Sequence, residues 1–268
     1  MFSFLLEPFM IYALLIALTL AISASLLSPF LVLNNQAMIA DGLSHVAFSG
    51  IVFGLLFLNQ PIYFAIPFTI IAALLITYLN DIKAMKHDAA IGVVSAFSLA
   101  IGMITISSSN GFNISIESLL TGSILTSSIT DVFISLGLLV IIGIIVLINY
   151  RMLLSNTFDE TFAKVKHKKQ RYIKYLLAAL TGLFVVVGVR SAGMLLISSF
   201  LVFPALISSS FSKSFKQTII YAIISSILTI LIAIFASFHL DIPTASTIVV
   251  VYTIILLVSI ISKKIIKK

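Results

Sequence analysis

The chain has 268 residues and a mean hydropathy of +1.23, with 60% hydrophobic and only 9% charged residues. Such a composition excludes a water-soluble domain and puts most of the chain in lipid. The net charge of +7 would suit nucleic acid, but the lysines and arginines gather in alternate loops, as on the cytoplasmic face of a membrane protein. With no cysteine there is neither a disulfide framework nor a thiolate metal site, which leaves carboxylates, imidazoles and carbonyls as ligands.

Apolar runs long enough to cross a hydrocarbon layer of about 30 Å lie at 9 to 33, 38 to 58, 61 to 80, 89 to 107, 129 to 149, 172 to 190, 192 to 210, 217 to 238 and 244 to 262. Lipid satisfies no backbone group, so these runs predict an all-α polytopic transmembrane helix bundle of eight or nine spans. The count turns on 172 to 210, where only Arg190 and Ser191 separate one apolar run from the next: a re-entrant turn and two full crossings both fit. Glu7 precedes the first span without any Lys or Arg, so a cleavable signal peptide is not expected. Absence of repeats and of low-complexity linkers predicts one domain over 1 to 268.

Basic residues fall at Lys83 and Lys86, from Arg151 to Lys174, at Lys213 and Lys216, and from Lys263 to the carboxyl end. These four segments are placed in the cytoplasm, with 108 to 128 and 239 to 243 on the opposite side. The amino terminus is then outside with nine spans and inside with eight. In the second span Gly50 and Gly54 form a GxxxG, which permits close helix approach and needs no more than ordinary bundle packing to explain it.

Asp41 and His45 open that second span four residues apart, on one helix face and about 6 Å apart along the axis. An ionisable side chain inside a membrane span costs about 2.5 to 3.5 kcal/mol on insertion scales, which invites a functional explanation. Carboxylate oxygen with imidazole nitrogen is a ligand set for zinc, and manganese, iron or nickel also accept it. The alternative is a helix cap at Asp41 with His45 packed inside the bundle. His239 and Asp241, near the outer face, are a weaker candidate pair, since residues two apart in an extended turn point apart and Asp241 reads more readily as a helix cap before Pro243. Glu117 is either a solvated loop charge or part of an outer docking surface.

In the cytoplasmic segment after the fifth span, Thr157 and Glu160 have capping-box spacing. Asp159 and Glu160 suit a helix N-terminus, and Lys164 to Lys169 suit its end. A short helix over about 157 to 165 is predicted, with Phe158, Phe162 and Val165 as an apolar stripe. The stripe fits either the membrane surface or a groove on a soluble partner.

Six segments in order resemble one family. They are Asp41-Gly42-Leu43-Ser44-His45-Val46-Ala47-Phe48-Ser49-Gly50, His87-Asp88-Ala89-Ala90-Ile91-Gly92, and Leu120-Thr121-Gly122-Ser123-Ile124-Leu125-Thr126. Then come Phe158-Asp159-Glu160-Thr161-Phe162-Ala163, Gly193-Met194-Leu195-Leu196-Ile197-Ser198 with Pro204-Ala205, and Asp241-Ile242-Pro243-Thr244. Together they are similar to the membrane permease subunits of zinc and manganese ATP-binding-cassette importers. Departures are Asn34 and Asn35 in place of two basic residues, Lys166-His167 in place of a Gly, and Ala245 in place of a Gly.

The resemblance implies a vitamin-B12-importer-like permease fold and a homodimeric pathway, with cytoplasmic ATPase subunits below and an extracytoplasmic metal-binding protein above. Phe158, Asp159, Glu160 and Phe162 would form the coupling helix that contacts the ATPase. Asp41 and His45 become transient ligands for a transported metal, zinc first and manganese or iron next, with no permanently bound cofactor and no nucleic-acid partner. Four ligands from two subunits would make a shared site. The sequence has no Gly-x-x-x-x-Gly-Lys-Ser/Thr loop, so ATP hydrolysis is expected on a partner and the chain is not expected to be an enzyme.

Two rival readings come from other classes. An intramembrane hydrolase is suggested by Ser44 beside His45, but neighbouring helical residues point about 100° apart. A passive channel would have no use for a cytoplasmic helix that contacts an ATPase.

Overall fold

The structure, a computed structural model, describes residues 8–58, 61–108, 128–159, 163 and 170–266. Among these, nine long helices follow one another. They are α1 (Pro8–Leu33), α2 (Ile39–Leu58), α3 (Pro61–Asp81), α4 (His87–Ser108), α5 (Ile129–Phe158), α6 (Gln170–Ala192), α7 (Met194–Ser209), α8 (Phe215–Leu240) and α9 (Thr244–Ile266). Eight are long and apolar enough to cross a membrane; α7 has 16 residues, about 24 Å. Glu117, Glu160, Phe162 and the 120 to 126 segment lie outside the described residues.

Contacts between helix ends show how the chain alternates between two faces. At one face Lys174, which begins α6, is ion-paired with Asp81, which ends α3. There too the ring of Phe215 at the start of α8 lies 4.9 Å from Phe30 of α1 and 5.8 Å from Phe158, the last residue of α5. Lys263, near the end of α9, reaches the Ser209 carbonyl at the end of α7. At the opposite face Arg190 of α6 lies 3.6 Å from Asp131 of α5. Every helix therefore traverses the bundle, α7 included, and the basic loops share one face.

The junction at 190 to 194 differs from the break expected at Arg190 and Ser191. Helix α6 runs through both residues to Ala192, and only Gly193 interrupts it, with φ 87°. That left-handed torsion is open to glycine and costly for other residues, so the turn falls there. At the far end of α7, Pro204 supplies no amide hydrogen, while the next N–H, of Ala205, donates to Ser28 Oγ of α1 at 3.2 Å. A proline in a buried helix is tolerated when a neighbouring helix takes up the freed groups.

α1 and α2 form the centre. Ala17, Ala21 and Ser25 on α1 are fully buried, and Ser25 Oγ lies 2.8 Å from Ser226 Oγ of α8. The GxxxG of α2 packs against α3 within the same chain. A Cβ on Gly50 would fall 2.8 Å from Ala65 Cα, and one on Gly54 2.7 Å from Pro61 Cα. Close backbone approach of this kind gains van der Waals contact where lipid gives helices no hydrophobic reason to associate. Phe97, Phe133, Leu147 and Ile148 point outward and are exposed, which lipid permits and water would not.

Candidate functional site

α2 begins after a tight turn in which Asn35 takes φ 57° and the Gln36 N–H donates to the Leu31 carbonyl at 2.9 Å, closing α1. Asp41 lies in the first turn of α2, where the positive end of the helix dipole favours a carboxylate. One turn on, His45 is half-buried. Its neighbours Leu43, Ser44, Val46, Ala47 and Phe48 are at most 2% exposed, so this part of the helix, from Ala40 to Val52, is open only at Asp41 and His45. Asp41 is exposed, and the Nδ1 of His45 is buried with no hydrogen-bond partner among the described residues.

An acid and an imidazole thus share an open strip on the central helix of an apolar bundle. They provide one carboxylate oxygen and one imidazole nitrogen, half of a four-coordinate set. Among the described residues no group of three or more His, Cys, Asp or Glu converges on one point. A closed metal cage is not built there by one copy alone. Ser44 faces the other way: its Oγ donates to the Ala40 carbonyl at 2.7 Å and is fully buried. The geometry therefore supplies no nucleophile next to His45.

His239 and Asp241 are placed at the opposite face, at the end of α8, and do not join Asp41 and His45. The His239 ring lies over Phe235 at a centroid distance of 4.1 Å, and its Nδ1 is 3.0 Å from the Phe235 carbonyl. Asp241 takes φ 50° as the left-handed C-cap of α8, so its capping role closes one helix and does not open the next.

The expected capping box at Thr157 is corrected. Thr157 is buried in the last turn of α5, and its Oγ1 donates to the Leu153 carbonyl at 2.9 Å, so it is not free to cap. Phe158 is the last residue of α5 and Asp159 breaks it with an extended backbone, φ −151° and ψ 99°. The Asp159 carbonyl then accepts the Ala163 N–H at 2.9 Å, one α-helical bond. Asp159 is the C-cap of α5, its N–H donating to the Ser155 carbonyl at 3.1 Å. Phe158 is 68% exposed and edges an apolar hollow that Leu33, Leu206 and Phe215 also line.

Sequence reasoning missed a second polar place. Asn34, Asn80, His87, Asp88, Asn156 and Lys174 come from five different elements and line one cavity at the basic face. In the sequence His87 and Asp88 belong to one of the family-like segments and Asn34 to a departure from the family, but nothing there brings them together with Asn80, Asn156 and Lys174.

A bundle in which eight of the nine described helices are long and apolar enough to cross a membrane, with ionisable residues on its central helix, is a multi-pass integral membrane protein of the cell membrane. The family model for the ABC 3 transport family matches residues 7–263, and the chain belongs to that family. The likeness read from the six sequence segments is borne out. Similar curated proteins are the manganese import system permease protein ScaB of Streptococcus gordonii, 28% identical over 92% of this chain and 88% of that one, and a probable iron transport system membrane protein of Haemophilus influenzae, 31% identical over 93% of each. The high-affinity zinc uptake system membrane protein ZnuB of Haemophilus influenzae is 25% identical over 89% of this chain and 91% of its own. Among solved structures, PsaBC from Streptococcus pneumoniae in complex with Fab superposes with a TM-score of 0.84 at 28% identity, covering 96% of this chain and 93% of that one.

Proposed function

We propose that this chain is the permease of an ATP-driven importer of a divalent metal, and that Asp41 and His45 are the ligands the ion meets in passing. One observation carries the reading: in the buried first half of the central helix, from Ala40 to Val52, only this carboxylate and this imidazole are open, the imidazole with a buried nitrogen that has no partner among the described residues. A second copy facing the same strip would complete two oxygens and two nitrogens. That set suits zinc, and manganese and iron, named in the relatives, are the alternatives. Two ligands per subunit hold an ion that must also leave; a single-chain tetrahedral cage would retain it.

The energy source is a partner. We place the ATPase contact at the end of α5, from Phe158 through Ala163, where an exposed aromatic ring stands over an apolar hollow at the basic face. Nucleotide-driven closure of two ATPase subunits would act on this end of a long helix and rock the bundle as a rigid body. Delivery of the metal from outside falls to an extracytoplasmic binding protein. The test is growth: a strain lacking this chain should need added zinc, manganese or iron, and the ion that restores it identifies the substrate. Normal growth in chelated medium would refute the reading.

A further inference from the structure

α2 and α4 both start at the basic face and run side by side toward the opposite one. Two contacts fix their register. A Cβ on Gly42 would run into the Ile91 side chain and come within 3.6 Å of Ser95 Cβ. Two turns further on, Ser49 Oγ donates to the Ser98 carbonyl at 2.5 Å. Gly42 lies between Asp41 and His45 in sequence, so Ser95 stands on the neighbouring helix at the level of their strip.

Ser95 also stands on the open side of the seam between the two helices. α3 closes the other side: it meets Gly50 and Gly54 of α2 and packs along α4, where Ala90 and Val94 are buried. A turn of about 100° per residue then carries Asp41 and His45 of α2, and Gly92, Ser95 and Ala96 of α4, to the side away from α3. Their exposure agrees, since Asp41, Gly92 and Ala96 are exposed and His45 and Ser95 half-buried. A Cβ on Gly92 would meet no described atom within 4 Å, so the α4 wall beside Asp41 is unobstructed there. The Ser95 hydroxyl donates its one hydrogen to the Gly92 carbonyl, 3.1 Å away, which is the local bond a serine inside a helix commonly makes. Its oxygen receives no hydrogen bond among the described residues and keeps lone pairs to offer on the side of the strip.

We propose that Ser95 is a third ligand for the passing ion, a hydroxyl oxygen from α4 beside Asp41 and His45, and that it is the residue that lets the site hold manganese as well as zinc. This deepens the importer reading and rests on it. Two copies then offer two carboxylate oxygens, two imidazole nitrogens and two hydroxyl oxygens. Zinc is satisfied by four donors, whereas manganese prefers six, most of them oxygen. For the same donors zinc binds more tightly than manganese, so the two hydroxyls matter to manganese and little to zinc. A hydroxyl that keeps its hydrogen adds no charge, and the ion is still able to leave.

The test uses the assembled transporter in detergent, with labelled Mn²⁺ and Zn²⁺ as probes and equilibrium dialysis as the measurement. Ser95→Ala should weaken Mn²⁺ binding at least about tenfold and leave zinc within about threefold of wild type. Ser95→Cys should tighten zinc while weakening Mn²⁺, because sulfur is a soft ligand; a serine that only packs α4 would produce neither change. The proposal is overturned if the wild-type transporter holds zinc but no Mn²⁺, if Ser95→Ala affects both ions alike or neither, or if Ser95→Cys leaves zinc binding unchanged. Failure of the underlying reading has a separate signature: Asp41→Asn and His45→Leu would then bind both ions like wild type.

Discussion

Replacing Lys174 with Met probes the joint that ties the end of α3 to the start of α6 and walls the polar cavity. The side chains of Lys174 and Asp81 are 10% and 14% exposed, so the pair is largely withdrawn from water. Removing one partner from a buried pair typically costs about 3 to 5 kcal/mol, because the other charge stays behind unpaired. Arg171 lies 3.9 Å from the second Asp81 oxygen and is 72% exposed, so it can move in and recover some of the loss. About 2 to 3 kcal/mol of destabilisation is therefore expected for Lys174→Met, somewhat below that range. Asp81→Asn together with Lys174→Met leaves no orphan charge and should cost less than about 1 kcal/mol. The assay is a double-mutant cycle on unfolding of the purified chain in detergent, repeated at high salt, which should change a buried pair little. A Lys174→Met variant as stable as wild type, or additive costs in the cycle, would refute the reasoning.

Further outcomes follow from named contacts. Phe158→Ala should weaken co-purification with the ATPase by about 2 kcal/mol, as for an interface anchor, whereas Thr157→Ala should leave it unchanged because Thr157 is committed to its own helix; equal effects of the two would remove Phe158 as a specific anchor. Gly54→Leu should destabilise the chain by about 1 to 3 kcal/mol, since the added Cβ meets the Pro61 backbone, and lower expression of folded protein on a fluorescence size-exclusion profile would show it. Mass measurement of the assembled transporter should find two copies of this chain; one copy would leave the four-ligand site without half its donors.

The span pattern was legible because helices in lipid must be apolar along their whole length, and the nine apolar runs became the nine helices. Boundaries failed where a helix leaves the lipid. α5 continues nine residues past the run ending at Ile148-Asn149, through Arg151, Ser155 and Asn156, to Phe158. Polar residues on a protruding helix end look like a loop. The same effect misled the capping-box reading: Thr157 and Glu160 have the right spacing, but Thr157 is buried within the last turn of α5. Asp41 and His45 could be singled out because charge in an apolar run is costly wherever it sits. The cavity around His87 could not, since it is assembled from helix ends far apart in sequence whose meeting depends on the packing of α3, α4, α5 and α6.

The central claim is that Asp41 and His45 carry the ion. Its most direct test is uptake of labelled zinc and manganese by vesicles holding the assembled transporter, comparing wild type with Asp41→Asn and His45→Leu at equal expression. Neither change adds a charge, and both lie on the open strip, so both variants should insert and assemble. Uptake of the transported ion should fall at least about tenfold in each, with ATP hydrolysis still present. Wild-type uptake in both would leave Asp41 a helix-end charge and His45 a packed side chain, and the account would be wrong.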